Sequence, residues 1–215
     1  MPKVIDHARR RQEFAEAAGN RIAAHGIAGL RMRDVAADAG YSAGLVAHYF
    51  RDQQDLLTET YRCAYRRQAG RFLVAAGGPG KGLVALEKTL LSILPTDDES
   101  DLDWRIRLAY AETHRNWPEI AEIEHSSQAA FLTRLEALLR EADQRGELRP
   151  GLDPLVQAST LSALVTGLTS NHHFDPATFP RTRIIEIARA HLQSLRAPRQ
   201  RTLPTAVHRE EARIQ

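Results

Sequence analysis

Residues 33–57 run RDVAADAGYSAGLVAHYFRDQQDLL, and the alternation of small, turning and apolar positions in this stretch decides the fold. Val35, Ala36 and Ala39 share one face of a short helix over residues 33–39. Gly40 ends it, because a residue without a Cβ enters a sharp turn at no steric cost. Ser42 stands where a hydroxyl can cap exposed N–H groups, and a second short helix follows to about Tyr49. Its Leu45, Val46 and Tyr49 pack against the small residues of the first. A short helix, a glycine turn and a second short helix are the parts of a helix-turn-helix. Ala43 and Gly44, with Leu45 and His48, leave the start of the second helix open to a DNA major groove. Leu45 suits a thymine methyl better than a hydrogen-bonding base edge. Ser42 and the helix start suit a phosphate. Tyr49 and Phe50 read first as core residues, with the Tyr49 hydroxyl in reach of a phosphate. No carboxylate stands at helical spacing to orient His48, so a DNA-facing role outranks that of a catalytic base.

Outside this stretch a 3.6-residue period recurs between the prolines, and no segment sustains a period of two. The expected fold is all-α, with about nine helices. One helix is predicted over 6–25, with Phe14, Ala17, Ala18 and Ile22 as its stripe and Gly26 as its C-cap. A long one follows over 52–75, with Leu56, Leu57, Tyr61 and Ala64 inward. Others are predicted over 81–94, 102–114, 118–145, 154–171 and 181–196, with Asp153 and Pro154 starting the fourth of these.

The chain has 215 residues, 43% of them hydrophobic and 26% charged, the balance of a soluble globular protein. Nothing approaches the roughly 18 apolar residues of a membrane span. The opening MPKVIDHARRRQ lacks an apolar segment, so a cytoplasmic location is expected. Cys63 is the single cysteine, which excludes an intrachain disulfide and a cysteine-based zinc cluster, and its mid-helix place marks an inert thiol. Residues 1–71 carry 12 basic against 8 acidic side chains, whereas residues 72–197 carry 13 against 17. A basic first third on an acidic body fits one nucleic-acid-facing part and one part with another task. A solvated surface with chance asymmetry explains the same numbers.

The run from Arg33 to Leu57 resembles the TetR family of bacterial regulators, with its R-D-V-A helix, A-G-Y-S turn, H-Y-F close and D-L-L opening of a long fourth helix. The opening MPKV and RRRQ look like the BetI-like branch of that family. In the body the likeness is one of layout and a few residues, such as Trp104 and Gly167-Leu168. The resemblance implies a helix-turn-helix DNA-binding domain over 1–51, a helical ligand-binding and dimerisation domain over 52–197 and a flexible tail over 198–215. It also implies a homodimeric repressor that binds a palindromic operator and is released by a small molecule. Three positions depart from the pattern. Arg31 replaces a capping Thr, Ala47 a Tyr and Gln53 a Lys, the latter two being phosphate contacts in the family. Arg31, Arg33, His48, Tyr49 and Arg51 are left to grip the DNA backbone, which makes affinity strongly salt-dependent.

In the body, Trp104, Leu108, Tyr110, Ala111, His114, Trp117, Phe131 and Leu135 are the candidate ligand pocket. A cationic ligand could rest on their aromatic faces. An ordinary aromatic core accounts for the same cluster. The last two helices carry the stripes Ala158, Leu161, Leu164, Val165, Leu168 and Ile184, Ile185, Ala188, Leu192, Leu195. These are the candidate dimer interface, with packing inside one protomer as the alternative.

No Ser-His-Asp layout or phosphate loop is present, and the acidic run Asp97-Asp98-Glu99 falls in an expected loop, so the chain reads as a non-enzyme. His172 and His173, with His114 and Glu112, invite a metal. Adjacent helical residues point about 100° apart, so no metal or cofactor is expected. A helical scaffold that binds only protein or ligand is the alternative function, and loss of function on replacing Tyr49 or Arg51 separates a DNA binder from it.

Overall fold

The computed structural model describes residues 7–77, 81–111 and 117–198, which form nine α-helices. They are α1 (His7–His25), α2 (Met32–Asp38), α3 (Ala43–Tyr49), α4 (Gln53–Gly77), α5 (Leu83–Ile93), α6 (Asp98–Ala109), α7 (Pro118–Gln144), α8 (Pro154–Phe174) and α9 (Arg181–Leu195). None is long and apolar enough to cross a membrane.

Two cores hold these helices. Phe14, Ala18 and Ile22 of α1 meet Val35 and Ala36 of α2, Val46 and Tyr49 of α3, and Leu56, Leu57, Tyr61 and Ala64 of α4. Full burial of each aliphatic side chain contributes about 2 kcal/mol, enough in sum to fix these short helices that could not persist alone. Ile106, Tyr110 and Ile120, from α6, the turn after it and α7, close the same core from below. Gly19 permits this closure, since a Cβ there would stand 2.8 Å from Ile106 Cδ1. Phe72 at the far end of α4 joins the second core with α5, α7, α8 and α9. Three helices, α4, α6 and α7, thus belong to both, with Trp104 of α6 and Leu135 of α7 on the side of the second.

The turn chemistry follows the sequence at Gly40, whose φ of 76° is left-handed, and at Asp153, whose carboxylate accepts from the Leu155 N–H at 2.8 Å with Pro154 in the first turn. Elsewhere the expectations need correcting. Ser42 takes the N-cap position of α3 but its side chain makes no capping hydrogen bond, whereas Arg31, in place of a capping Thr, leaves the start of α2 uncapped as expected. Asp97-Asp98-Glu99 is not a loop. Asp97 caps α6 in a reciprocal box with Ser100, and Asp98 and Glu99 fill its first turn, where the helix dipole favours negative charge. Past Pro198 the expected tail lies outside the described residues.

Candidate nucleic-acid interface and ligand cavity

Every helix of the first core turns its apolar side inward, which leaves one face of α3 to solvent. Ala43, Gly44, Ala47 and His48 are exposed there, with Ser42 beside them. Val46 and Tyr49 are buried, and Leu45 is half-buried against the core. The Tyr49 ring lies 5.7 Å from Phe14 and 5.0 Å from His7, so its packing role is the one the geometry carries. The residue is 8% exposed.

Arginines surround this face. Arg31 is exposed, Arg33 is 70% exposed beside Asp34 at 3.4 Å, and Arg51 is 86% exposed with Asp55 at 3.7 Å. Exposed ion pairs are worth at most about 1 kcal/mol, so these partners do not hold the guanidinium groups away from a phosphate. Arg11 has a structural task instead. It stacks 4.2 Å over Phe50, donates to the Tyr49 carbonyl and pairs with Asp55 at 3.0 Å. Burial raises the Asp55 carboxyl, but the Arg11 hydrogen bond and the Arg51 N–H outweigh it and leave it below the usual carboxylate range. Gln53, standing where the resembled family has a lysine, fastens α4 to the motif by donating to the Leu30 carbonyl at 3.0 Å.

The second site is a cavity of about 250 Å³ between α4, α6, α7 and α8. Trp104 and Phe131 line it as expected. The other expected pocket residues lie elsewhere. Tyr110 is buried in the first core, its hydroxyl donating to the Leu57 carbonyl at 2.9 Å, and Trp117 packs on that same core. Leu135 is fully buried in the second core and does not reach the cavity. Leu108 is half-buried away from it, Ala111 is exposed in the turn after α6, and His114 lies outside the described residues. The cluster is divided between the cavity, which takes Trp104 and Phe131, and the two cores, which take Tyr110, Trp117 and Leu135.

Sequence reasoning missed Tyr65, Gln68, Ala69 and Phe72 of α4, and Ser127, Ala130 and Arg134 of α7. In each helix they fall at i, i+3, i+4 and i+7 spacing, with Phe131 completing the α7 set. The legible signal was polar residues interrupting an otherwise apolar face. Arg107 was missed too. It lies 4.1 Å over Trp104 and 4.2 Å over Tyr65, so one of the aromatic faces expected to take a cationic ligand, that of Trp104, already carries a cation of the protein.

The expected dimer stripes are also corrected. Ala158, Leu161, Val165 and Leu168 of α8, and Ile184, Ala188, Leu192 and Leu195 of α9, are buried in the protomer's own second core, while Leu164 and Ile185 are half-buried. An inward stripe is used up by the fold. The outward face of α8 instead shows Val156, Thr160, Ala163, Gly167 and Phe174. His172 bonds the Phe179 carbonyl through Nδ1 at 2.8 Å and has Asp101 3.8 Å from Nε2, whereas the adjacent His173 is exposed on another side. Cys63 is buried, and burial pushes its thiol up.

An exposed short helix on a rigid helical core, beside a cavity in a second helical body, defines a helix-turn-helix regulator. The profile of bacterial regulatory proteins of the tetR family matches residues 15–60, and that of the C-terminal region of BetI-type transcriptional repressors matches residues 84–197. The HTH-type transcriptional regulator PksA of Bacillus subtilis (strain 168) is 30% identical over 198 residues, 91% of this chain and 94% of its own. BetI of Cronobacter sakazakii is 28% identical over 178 residues, 80% of this chain and 87% of its own. A transcriptional regulator from Saccharomonospora viridis, solved in complex with choline, superposes with a TM-score of 0.82 at 19% identity, over 89% of this chain and 100% of that one. The chain belongs to the TetR family of bacterial transcriptional regulators, with a BetI-type C-terminal region. That family is one of DNA-binding proteins rather than enzymes.

Proposed function

We propose that the chain is a homodimeric repressor that holds a palindromic operator and releases it when a small molecule enters the cavity between α4, α6, α7 and α8. The exposed face of α3 is the observation that carries this reading. Ala43 and Gly44 allow close approach to the groove floor, Leu45 and His48 meet base edges, and Ser42, Arg31, Arg33 and Arg51 meet phosphates. Residues 1–51 carry the DNA contacts, and 52–197 carry the cavity and the dimer contact. A single copy offers one recognition helix and little specificity, whereas two copies reach half-sites about 34 Å apart. The outward face of α8, small at Ala163 and Gly167 and apolar at Val156 and Phe174, supports close pairing with a second copy, in company with α9. Release requires the ligand to favour the DNA-incompetent arrangement by a few kcal/mol. Fluorescence anisotropy with DNA from upstream of the chain's own gene tests the reading. Saturable, sequence-specific binding supports it, and its absence even at low salt overturns it.

A further inference from the structure

The cavity wall has a definite charge. No residue lining it is acidic, while Arg107 and Arg134 both contribute to it. Arg107 lies over both the Trp104 and Tyr65 rings and donates to Gln68 Oε1 at 2.7 Å. Its nearest carboxylate, Glu124, stands 3.6 Å from Nη2, and Glu124 Oε2 already accepts from the hydroxyls of Tyr61 and Tyr65. The Arg107 Nε is buried with no hydrogen-bond partner. Arg134 has no hydrogen bond or ion pair among the described residues, and its guanidinium carbon lies 5.9 Å from the Phe72 ring centre. A buried donor left unmet, and a second guanidinium without a counter-charge, are costly in an apolar setting unless an anion completes them. Phe72, Ile93, Phe131 and Val165 supply an apolar wall for the remainder of such a molecule.

We propose that the effector of this cavity is a small organic anion, a carboxylate with an apolar body, held by Arg107 and Arg134. This rests on the reading of the cavity as the effector site. A quaternary ammonium compound meets two like charges here, and two of the aromatic faces it would use, Trp104 and Tyr65, are covered by Arg107. The volume, near the lower limit of about 300 Å³ for ligand pockets, sets the size. Carboxylates also suit paired guanidinium forks better than a point cation.

Trp104 in the wall provides the readout. The full chain, with Trp117→Phe to leave one emitter, is titrated with choline, its neutral isostere 3,3-dimethylbutanol and the matching 3,3-dimethylbutanoate, then with benzoate and octanoate. The expected result is saturable change with carboxylates and an affinity for 3,3-dimethylbutanoate at least about tenfold above that for choline. Arg134→Gln should erase most of that difference, and Arg134→Lys should keep part of it. Choline or the alcohol binding as tightly as the carboxylate, or no saturable response to any of the three carboxylates, overturns the proposal. Operator binding by the same unliganded preparation separates the two readings. If it persists while the anion preference fails, only the ligand class falls.

Discussion

Asp103 has no exposed surface, yet two arginines of α4 reach it: Arg67 donates to Oδ1 from Nε at 2.8 Å and Arg71 Nη2 lies 2.7 Å from Oδ2. Removing one member of a buried ionic group leaves the others charged and unmatched, which costs about 3 kcal/mol or more. Asp103→Ala is therefore expected to lower the urea midpoint sharply, and an unchanged midpoint would show that water already relieves the arginines. The exposed arginines beside α3 are expected to act on a different quantity. Arg33→Ala and Arg51→Ala should leave the midpoint within about 0.5 kcal/mol of the parent. Each should weaken operator binding at low salt and reduce the slope of log affinity against log salt by about one. Anisotropy titrations across a salt series check this, and a slope that does not move would place that side chain away from any phosphate. The exposed face of α3 was legible in the sequence because a helix-turn-helix needs small and polar positions in a short, fixed order. Arg107 was not, since its role depends on two rings, Tyr65 and Trp104, that lie 39 positions apart and meet only through packing.

Among the helices, α6 shows most clearly what a periodicity argument loses. The apolar stripe begins late, so the helix was expected from residue 102, four positions after its real start at Asp98. The information lay in Asp97 and Ser100, a cap pair rather than a stripe. The Ser100 N–H, donating at 2.7 Å, holds the Asp97 carboxyl below its usual range against a smaller effect of burial. A depressed folded-state value means that its stabilisation is complete above the unfolded value of about 3.9 and disappears as the pH falls through the folded one. Asp97→Ala is expected to cost about 1 kcal/mol near neutral pH. Its difference from the parent should shrink below about pH 4, and a difference that grows with acidity would contradict the sign. Between α4 and α7 the link is Glu124, which takes hydroxyl hydrogen bonds from both Tyr61 and Tyr65. Burial is the leading cause that raises both phenols, and they remain neutral donors through the working range. Glu124→Ala should strand both hydroxyls at a cost of about 2 kcal/mol, and chemical denaturation reads it directly. Tyr61→Phe in the same background should recover part of that loss.

At the scale of the whole molecule, the boundaries of most helices and both inward stripes of the last two were readable from period and proline placement. Which partner covers those stripes was not, because amphipathicity states that a face is buried without naming what buries it. The outward face of α8 is the testable remainder. A Cβ at Gly167 would meet nothing within 4 Å in the protomer, so Gly167→Glu adds a charge without disturbing the fold. If α8 carries the proposed dimer contact, sedimentation should report a dimer for the parent and a monomer for the variant, with specific DNA binding lost alongside. A dimeric variant would move the contact off α8. The shared helix α4 has a further consequence for anyone who would transplant the reading head onto another sensor. A cut at residue 51 leaves Leu56, Leu57 and Tyr61 on the recipient side of the seam, along with Ile106, Tyr110 and Ile120, which finish the donor's interior. A working chimera must carry this six-residue seat with it or rebuild it, so new specificities in this scaffold are easier to reach by repainting the α3 surface than by exchanging modules.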